Sequence, residues 1–191
     1  NFGLHITSTN MINVYWEVNY DYGSDLWTLK GGNGLGTLFY TPFQTVYDNR
    51  NITPRTYSAI DIVATQDNTQ VTITLPPGKA ASYGSMVTGI PPGGTHVVTL
   101  NRGQTFSLFP HNYSILAADR LAGTRIESTA PVAVTVKDDA LNTGSQGQAV
   151  IGDQIVPVDI IGDNYIARCE ESQPCLCGSH RRQYQHICDQ C

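Results

Sequence analysis

From Tyr57 to Leu75 the chain reads YSAIDIVATQDNTQVTITL. Ile60, Ile62 and Ala64 alternate with Asp61, Val63 and Thr65, and Val71, Ile73 and Leu75 alternate with Thr72 and Thr74. A two-residue period is that of a strand with one buried face. Between the two runs lie Gln66, Asp67, Asn68 and Thr69, polar residues that accept turn geometry. The stretch predicts a β-hairpin, and the β-branched density of VTITL agrees, because branched side chains sit well on a pleated surface and poorly in a helix.

The same pattern recurs on both sides. Residues 4–18 predict two strands around Ser8-Thr9-Asn10, residues 19–24 a loop, and Trp27 to Leu29 a short strand. Gly31, Gly32, Gly34 and Gly36 invite comparison with a phosphate-cradling loop, but no Lys-Ser/Thr follows and no helical pattern opens, so a close backbone turn is the better reading. Leu38 to Phe43 predicts a strand that Pro42 ends or confines to an edge, and residues 46–57 a loop. Two breakers, Pro76-Pro77-Gly78 and Pro91-Pro92-Gly93-Gly94, bracket a weakly patterned stretch. His96 to Leu100 and Thr105 to Leu108, around Asn101-Arg102-Gly103, predict a second hairpin.

Leu116 to Leu121 predicts at most one helical turn, too short to stand without tertiary support. Thr124 to Ser128 and Pro131 to Val136 predict strands around Thr129-Ala130, residues 138–148 a polar loop, and Ile155 to Val158 with Tyr165 to Ala167 the close of the body. About ten short strands, spaced roughly eight to twelve residues apart, predict an all-β antiparallel sandwich of Greek-key type. The sandwich is assigned to residues 1–168 and a short irregular cysteine-rich tail to residues 169–191.

Composition narrows the function classes. A chain of 191 residues with 40% hydrophobic content can close a core as one domain or two small ones. Three lysines stand with eight arginines under a net charge of -5, which argues against a phosphate-binding surface and against nucleic acid as a partner. No apolar run approaches the roughly 20 residues that cross a bilayer, so no transmembrane segment is expected. The chain opens on Asn1-Phe2-Gly3-Leu4-His5-Ile6, already strand-like and without a signal pattern, and reads as a mature or excised piece of something longer. All five cysteines fall in the last 23 residues, which fits disulfides outside the cell or a metal knuckle inside it.

Chemistry-bearing residues are sparse. Asp138-Asp139 with Asp153, and Asp159 with Asp163, are oxygen donors of the type Ca²⁺ takes, but without D-x-D-x-D-G spacing they read as solvated turn residues. His5, His96 and His111 are dispersed, with no G-x-S-x-G or H-E-x-x-H, so no catalytic residue, metal ligand or cofactor is assigned. Tyr15, Trp16, Tyr20, Tyr22 and Trp27 crowd one segment, and aromatics at loop tips commonly anchor protein or glycan partners. The expected contact surface is therefore Tyr20 and Tyr22 with Trp27. Asn51-Ile52-Thr53 and Asn112-Tyr113-Ser114 fit the N-glycosylation acceptor pattern and mark surface loops at most.

Several phrases taken together resemble the IgGFc-binding-protein N-terminal type of domain found in large secreted surface proteins of Bacteroidota-type bacteria. They are Gly3 to Thr9, Leu29-Lys30-Gly31 with Asn33 to Thr37, Phe39-Tyr40 with Pro42-Phe43-Gln44, and Asp61 to Thr65 with Asp67-Asn68-Thr69. Leu100 to Thr105, Gly123 to Ile126, Pro131 to Val134 and Gly152 to Val158 continue the series, so the resemblance spans roughly residues 3–167 and the first half of such a domain. It implies an extracellular all-β module of an adhesin-like or matrix-like protein, and not an enzyme. It does not transfer a ligand.

With that extracellular context, Cys169, Cys175, Cys177, Cys188 and Cys191 are better read as disulfide candidates than as a zinc site, since only Cys188 and Cys191 have C-x2-C spacing. The expected role is a non-catalytic binding or adhesion module, secreted or displayed on a bacterial surface. Its partner would be a protein or glycan on another cell or matrix. The alternative is a structural building block of an extracellular filament or appendage, its partners being neighbouring copies or domains of the parent assembly; a surface-polymer hydrolase ranks behind both.

Overall fold

Strands form wherever branched and apolar residues alternate with polar ones, and the connections fall at the Gly, Pro, Asn and Asp clusters. The computed structural model describes residues 2–20, 23–43, 46–51, 53, 55–142 and 148–162. Its strands are β1 (Val14–Tyr20), β2 (Gly23–Leu29), β3 (Leu35–Tyr40), β4 (Ser58–Ala64), β5 (Thr69–Thr74) and β6 (Ala81–Tyr83). They continue with β7 (Ser85–Ile90), β8 (Thr95–Leu100), β9 (Thr105–Pro110), β10 (Arg125–Asn142) and β11 (Gln148–Gln154).

The long strand β10 belongs to both layers of a sandwich. Arg125 to Ser128 pairs with β5, which in turn pairs with β8. Val132 to Val134 pairs with β4, and Thr135 to Asn142 with β11. β3 runs along β10 through both parts, with a register shift between Glu127 and Val132. One layer is therefore β3-β10-β5-β8 and the other β11-β10-β4-β9-β6-β7. Phe39, Ile60, Ile62, Val71, Ile73, Leu108, Ile126 and Val134 fill the core between them, each with no exposed surface. At ~25 cal/mol per Å² of apolar surface, burying each such side chain contributes about 1.5–3 kcal/mol.

The all-β sandwich agrees with the sequence reading, but neither expected hairpin forms. β4 pairs with β9 and β10, while β5 pairs with β8 and β10, so β4 and β5 are joined by an arch that crosses from one layer to the other. β8 and β9 are joined the same way. The two arches lie side by side: the Asn68 N–H donates to Asn101 Oδ1 at 3.1 Å, and the Arg102 N–H to Asp67 Oδ1 at 2.9 Å. The cause is that the apolar faces of β4 and β5 meet each other across the core rather than lying in one sheet.

Other boundaries also move. Residues 4–13 make no strand, and Phe2 alone forms an isolated bridge with Gln104. Of the loop expected at residues 19–24, Asn19 and Tyr20 are ladder, opposite Ser24 and Gly23. The two strands expected around Thr129-Ala130 are the single β10. Asp138 to Asn142, expected in a loop, are strand paired with β11. β11 ends at Gln154, and Val158–Ile160 is a 3-10 turn rather than strand. The weakly patterned stretch holds β6 and β7. The glycine run is a 3-10 turn, Gly31–Gly34, and Gly36 lies so close to the Pro157 ring that a Cβ there would sit 2.2 Å from Pro157 Cβ. The close approach is thus to a side chain, not to backbone. Tyr165 to Ala167 lie outside the described residues.

Candidate functional site

Alternation along β4 sends Ile60 and Ile62 into the core and Ala59, Asp61 and Val63 to the opposite face. Ser107 of β9 stands directly opposite Asp61, and Lys137 and Asp139 of β10 rise on the same face. There a groove of about 390 Å³ opens, lined by Tyr57, Asp61, Tyr83, Ser107, Phe109 and Lys137 among others. Ser107 Oγ donates to Asp61 Oδ1 at 2.5 Å, and Lys137 Nζ lies 3.2 Å from Asp61 Oδ2. The side chains of Lys137 and Asp61 are 40% and 28% exposed, so an incoming molecule can reach both.

An aromatic cluster bounds this polar centre. Phe109 stacks on Tyr113 with centroids 4.6 Å apart, and Tyr57 meets both edge-on at 5.8 Å and 4.9 Å. Tyr113 holds this position in a left-handed backbone, φ 51°, directly after Asn112 at φ 55°. Such a conformation is uncommon for a bulky residue and costs of order 1–3 kcal/mol. It is held by the His111 N–H to Ala80 O (3.1 Å), the Asn112 N–H to Ser82 Oγ (3.3 Å) and the Ser114 N–H to His111 O (3.2 Å).

Beneath the groove lies a buried ion pair. Arg120 Nε donates to Asp138 Oδ2 at 2.9 Å, and the two side chains are 2% and 1% exposed. Asn49 Nδ2 donates to Asp138 Oδ1 at 2.6 Å, while Arg120 Nη1 donates to the carbonyls of Ser114 (3.0 Å) and Leu116 (3.3 Å). The segment carrying Tyr113 is thereby tied to β10. This group is not legible in the sequence, where Arg120 falls in at most one helical turn and Asp138 reads as a solvated turn residue. The available signal is an arginine next to Leu121 in the otherwise mostly apolar stretch LAADRL.

Asp139, next in the chain, lies beside the groove, near Tyr57, Lys137 and Asp61. Burial pushes its carboxyl above the usual carboxylate range, partly offset by the Tyr57 N–H and Lys137. Burial, then Asp139, likewise raises the Tyr57 phenol. The carboxylates expected as turn residues therefore separate: Asp138 is core, Asp139 lies beside the groove, Asp153 pairs with Lys30 at 2.5 Å, and Asp159 is exposed in a 3-10 turn. Asp163 lies outside the described residues. Among those described, no group of three or more His, Cys, Asp or Glu side chains comes together as a metal-ligand set. His111 Nδ1 lies 3.3 Å from Ser82 Oγ, but Ser82 has no exposed surface to meet a substrate.

The aromatic segment expected as a contact surface forms the β1–β2 ribbon. Trp27 is half-buried, its ring stacked on Trp16 with centroids 6.3 Å apart and pressed on Gly152 of β11, where a Cβ would stand 2.7 Å from Trp27 Cη2. Tyr15 and Leu26 point from the other face of the ribbon and are exposed. Tyr20 ends β1 opposite Gly23, but its side chain, Tyr22, and Cys169, Cys175, Cys177, Cys188 and Cys191 lie outside the described residues.

A two-layer β-sandwich with a side-chain-lined groove on one sheet has the form of a binding module. The chain belongs to the family described as IgGFc binding protein, whose model matches residues 27–182. That is a family of binding domains rather than a known enzyme family, and its members occur in secreted proteins. The match begins downstream of Gly3 to Thr9 and takes in Cys169, Cys175 and Cys177, which lie outside the resemblance read from the sequence. No curated protein matches the chain. A solved structure described as the crystal structure of Thermotoga maritima 1070 shares 14% identity over 62% of this chain and 90% of its own, with a TM-score of 0.36. Among the described residues, no helix is long and apolar enough to cross a membrane.

Proposed function

We propose that this chain is a non-catalytic binding and adhesion module of a secreted or surface-displayed bacterial protein, and that it holds its partner in the groove of Tyr57, Asp61, Ser107, Phe109 and Lys137. The observation that carries this reading is the solvent-reachable Asp61–Lys137 pair set beside a packed aromatic cluster. Convergent polar groups on a largely pre-formed surface, flanked by aromatic anchors, are what a recognition site needs. Membership of a binding-domain family supports the same reading. The partner is a protein or glycan of another cell or of a matrix.

A second reading, a building block of an extracellular appendage, is favoured by one observation. Leu4, Ile6, Met11 and Ile12 are exposed on a segment with no strand pairing, and such a segment can add to a neighbour's free edge. Disulfides through the tail cysteines would join copies under this reading, and non-reducing gels would show cross-linked oligomers.

The test of the first reading is a panel of immobilised immunoglobulin Fc fragment, matrix proteins and oligosaccharides, probed with the wild type and with a paired Asp61→Ser and Lys137→Met variant. The pair removes both charges together, so neither is left uncompensated. Retention by the wild type that falls tenfold or more in the variant is expected. Undiminished retention by the folded variant would move the site elsewhere.

A further inference from the structure

We infer that the groove's ligand is a short neutral saccharide. This deepens the groove reading above and rests on it. The floor of the groove is the middle of a sheet: Asp61 to Val63 of β4 pair with Thr105 to Ser107 of β9, and Ile62 to Ala64 with β10 on the other side. Their backbone groups are already used, so an extended peptide cannot add itself there as a strand, and a ligand meets side chains only.

Those side chains bring different hydrogen-bonding chemistry together on one face. Asp61 offers two acceptor oxygens, Ser107 a hydroxyl that both donates and accepts, and Lys137 an ammonium that donates. A vicinal diol can donate to the carboxylate and accept from the ammonium at once, replacing the water on their exposed sides, while an apolar ligand would displace that water and return no hydrogen bond. Next to them Tyr57 and Phe109 supply ring surface, whose negative faces attract the weakly positive C–H groups of a pyranose.

Charge and size narrow the class. Lys137 is the groove's cation and is already paired with Asp61, and Asp139 adds a second carboxyl on the same face, so a sulfated or sialylated glycan meets no free positive charge there. A volume of about 390 Å³ lies at the lower end of ligand pockets, which run from roughly 300 to 1,000 Å³. It fits the end of a glycan chain or a short oligosaccharide.

The experiment is an array of neutral oligosaccharides, with galactose, glucose, mannose, fucose and N-acetylhexosamine termini, printed beside sialylated and sulfated ones. It is probed with the wild type, the Asp61→Ser with Lys137→Met pair, and Phe109→Leu, each first shown to melt cooperatively. The wild type should retain neutral glycans, and both variants should lose tenfold or more. If the paired variant does not fold, Ser107→Ala removes one hydroxyl from the floor and should weaken retention several-fold. A wild type that leaves the array blank but holds a protein through the groove overturns the saccharide and leaves the groove reading intact. Neutral glycans kept equally by folded variants overturn the placement. Retention of sialylated or sulfated glycans alone overturns the neutral class.

Discussion

Replacing Arg120 by methionine keeps much of the side-chain volume and removes one charge from a pair that is 2% and 1% exposed. Asp138 retains the Asn49 Nδ2 donor at 2.6 Å and the Ala140 N–H at 3.2 Å, but loses the guanidinium; the carbonyls of Ser114 and Leu116 lose their donor as well. Breaking a buried pair from one side costs about 3–5 kcal/mol, because the remaining charge is uncompensated. For a domain of this size each kcal/mol lowers Tm by about 2–4 °C, so Arg120→Met should melt roughly 10 °C below the wild type. Adding Asp138→Asn removes the stranded charge and should recover part of the loss, the rest being the two carbonyls. Urea melts of the two single variants and the double variant give the coupling directly. A loss under about 1 kcal/mol for Arg120→Met, or no recovery in the double variant, would refute the idea that this pair holds the Tyr113 segment on β10.

Three further outcomes follow from individual contacts. Because burial raises the Asp139 carboxyl in the folded state, its contribution to stability is present at low pH and lost as pH rises through the folded pKa; Asp139→Asn should therefore raise Tm at pH 7 and flatten its fall from about pH 4 upward, and a lower Tm at pH 7 would contradict this. Gly152→Ala drives a methyl into the Trp27 ring and should cost about 1–3 kcal/mol with a red-shifted tryptophan emission; an unshifted spectrum would mean the ribbon does not pack on β11 as described. Asn112→Gly should be neutral or stabilising and Asn112→Ala should cost about 1–2 kcal/mol in urea melts, since φ 55° suits glycine and strains alanine; equal stability of the two would deny the left-handed turn.

Strand existence was legible because alternation follows from burial of one face, and Ile60, Ile62, Val71 and Ile73 carry it without ambiguity. Pairing was not. The same alternation arises whether two strands lie edge to edge in one sheet or face to face across a core, and the four polar residues after Thr65 serve either connection. In the sequence β10 reads as two strands because Thr129-Ala130 interrupts the pattern, whereas the interruption marks the register shift at which one strand passes between layers. The site was less legible still. Asp61, Ser107 and Lys137 come from β4, β9 and β10, and each alone is an ordinary polar residue on the outer face of a strand. They become a site only through the register that sets Ser107 opposite Asp61. Tyr113 left one local trace, an Asn-Tyr after Pro110-His111, where Asn tolerates the left-handed region.

The groove reading places partners on the outer face of the β9-β4-β10 sheet. Amide chemical shifts of the labelled chain, titrated with the oligosaccharide or protein retained most tightly in the panel, test it most directly. Binding in the groove gives shifts concentrated at residues 57–61, 105–109 and 135–139 and saturating together. Shifts concentrated at residues 14–29 of the ribbon, with the groove unmoved, would contradict it, as would a panel in which nothing is retained.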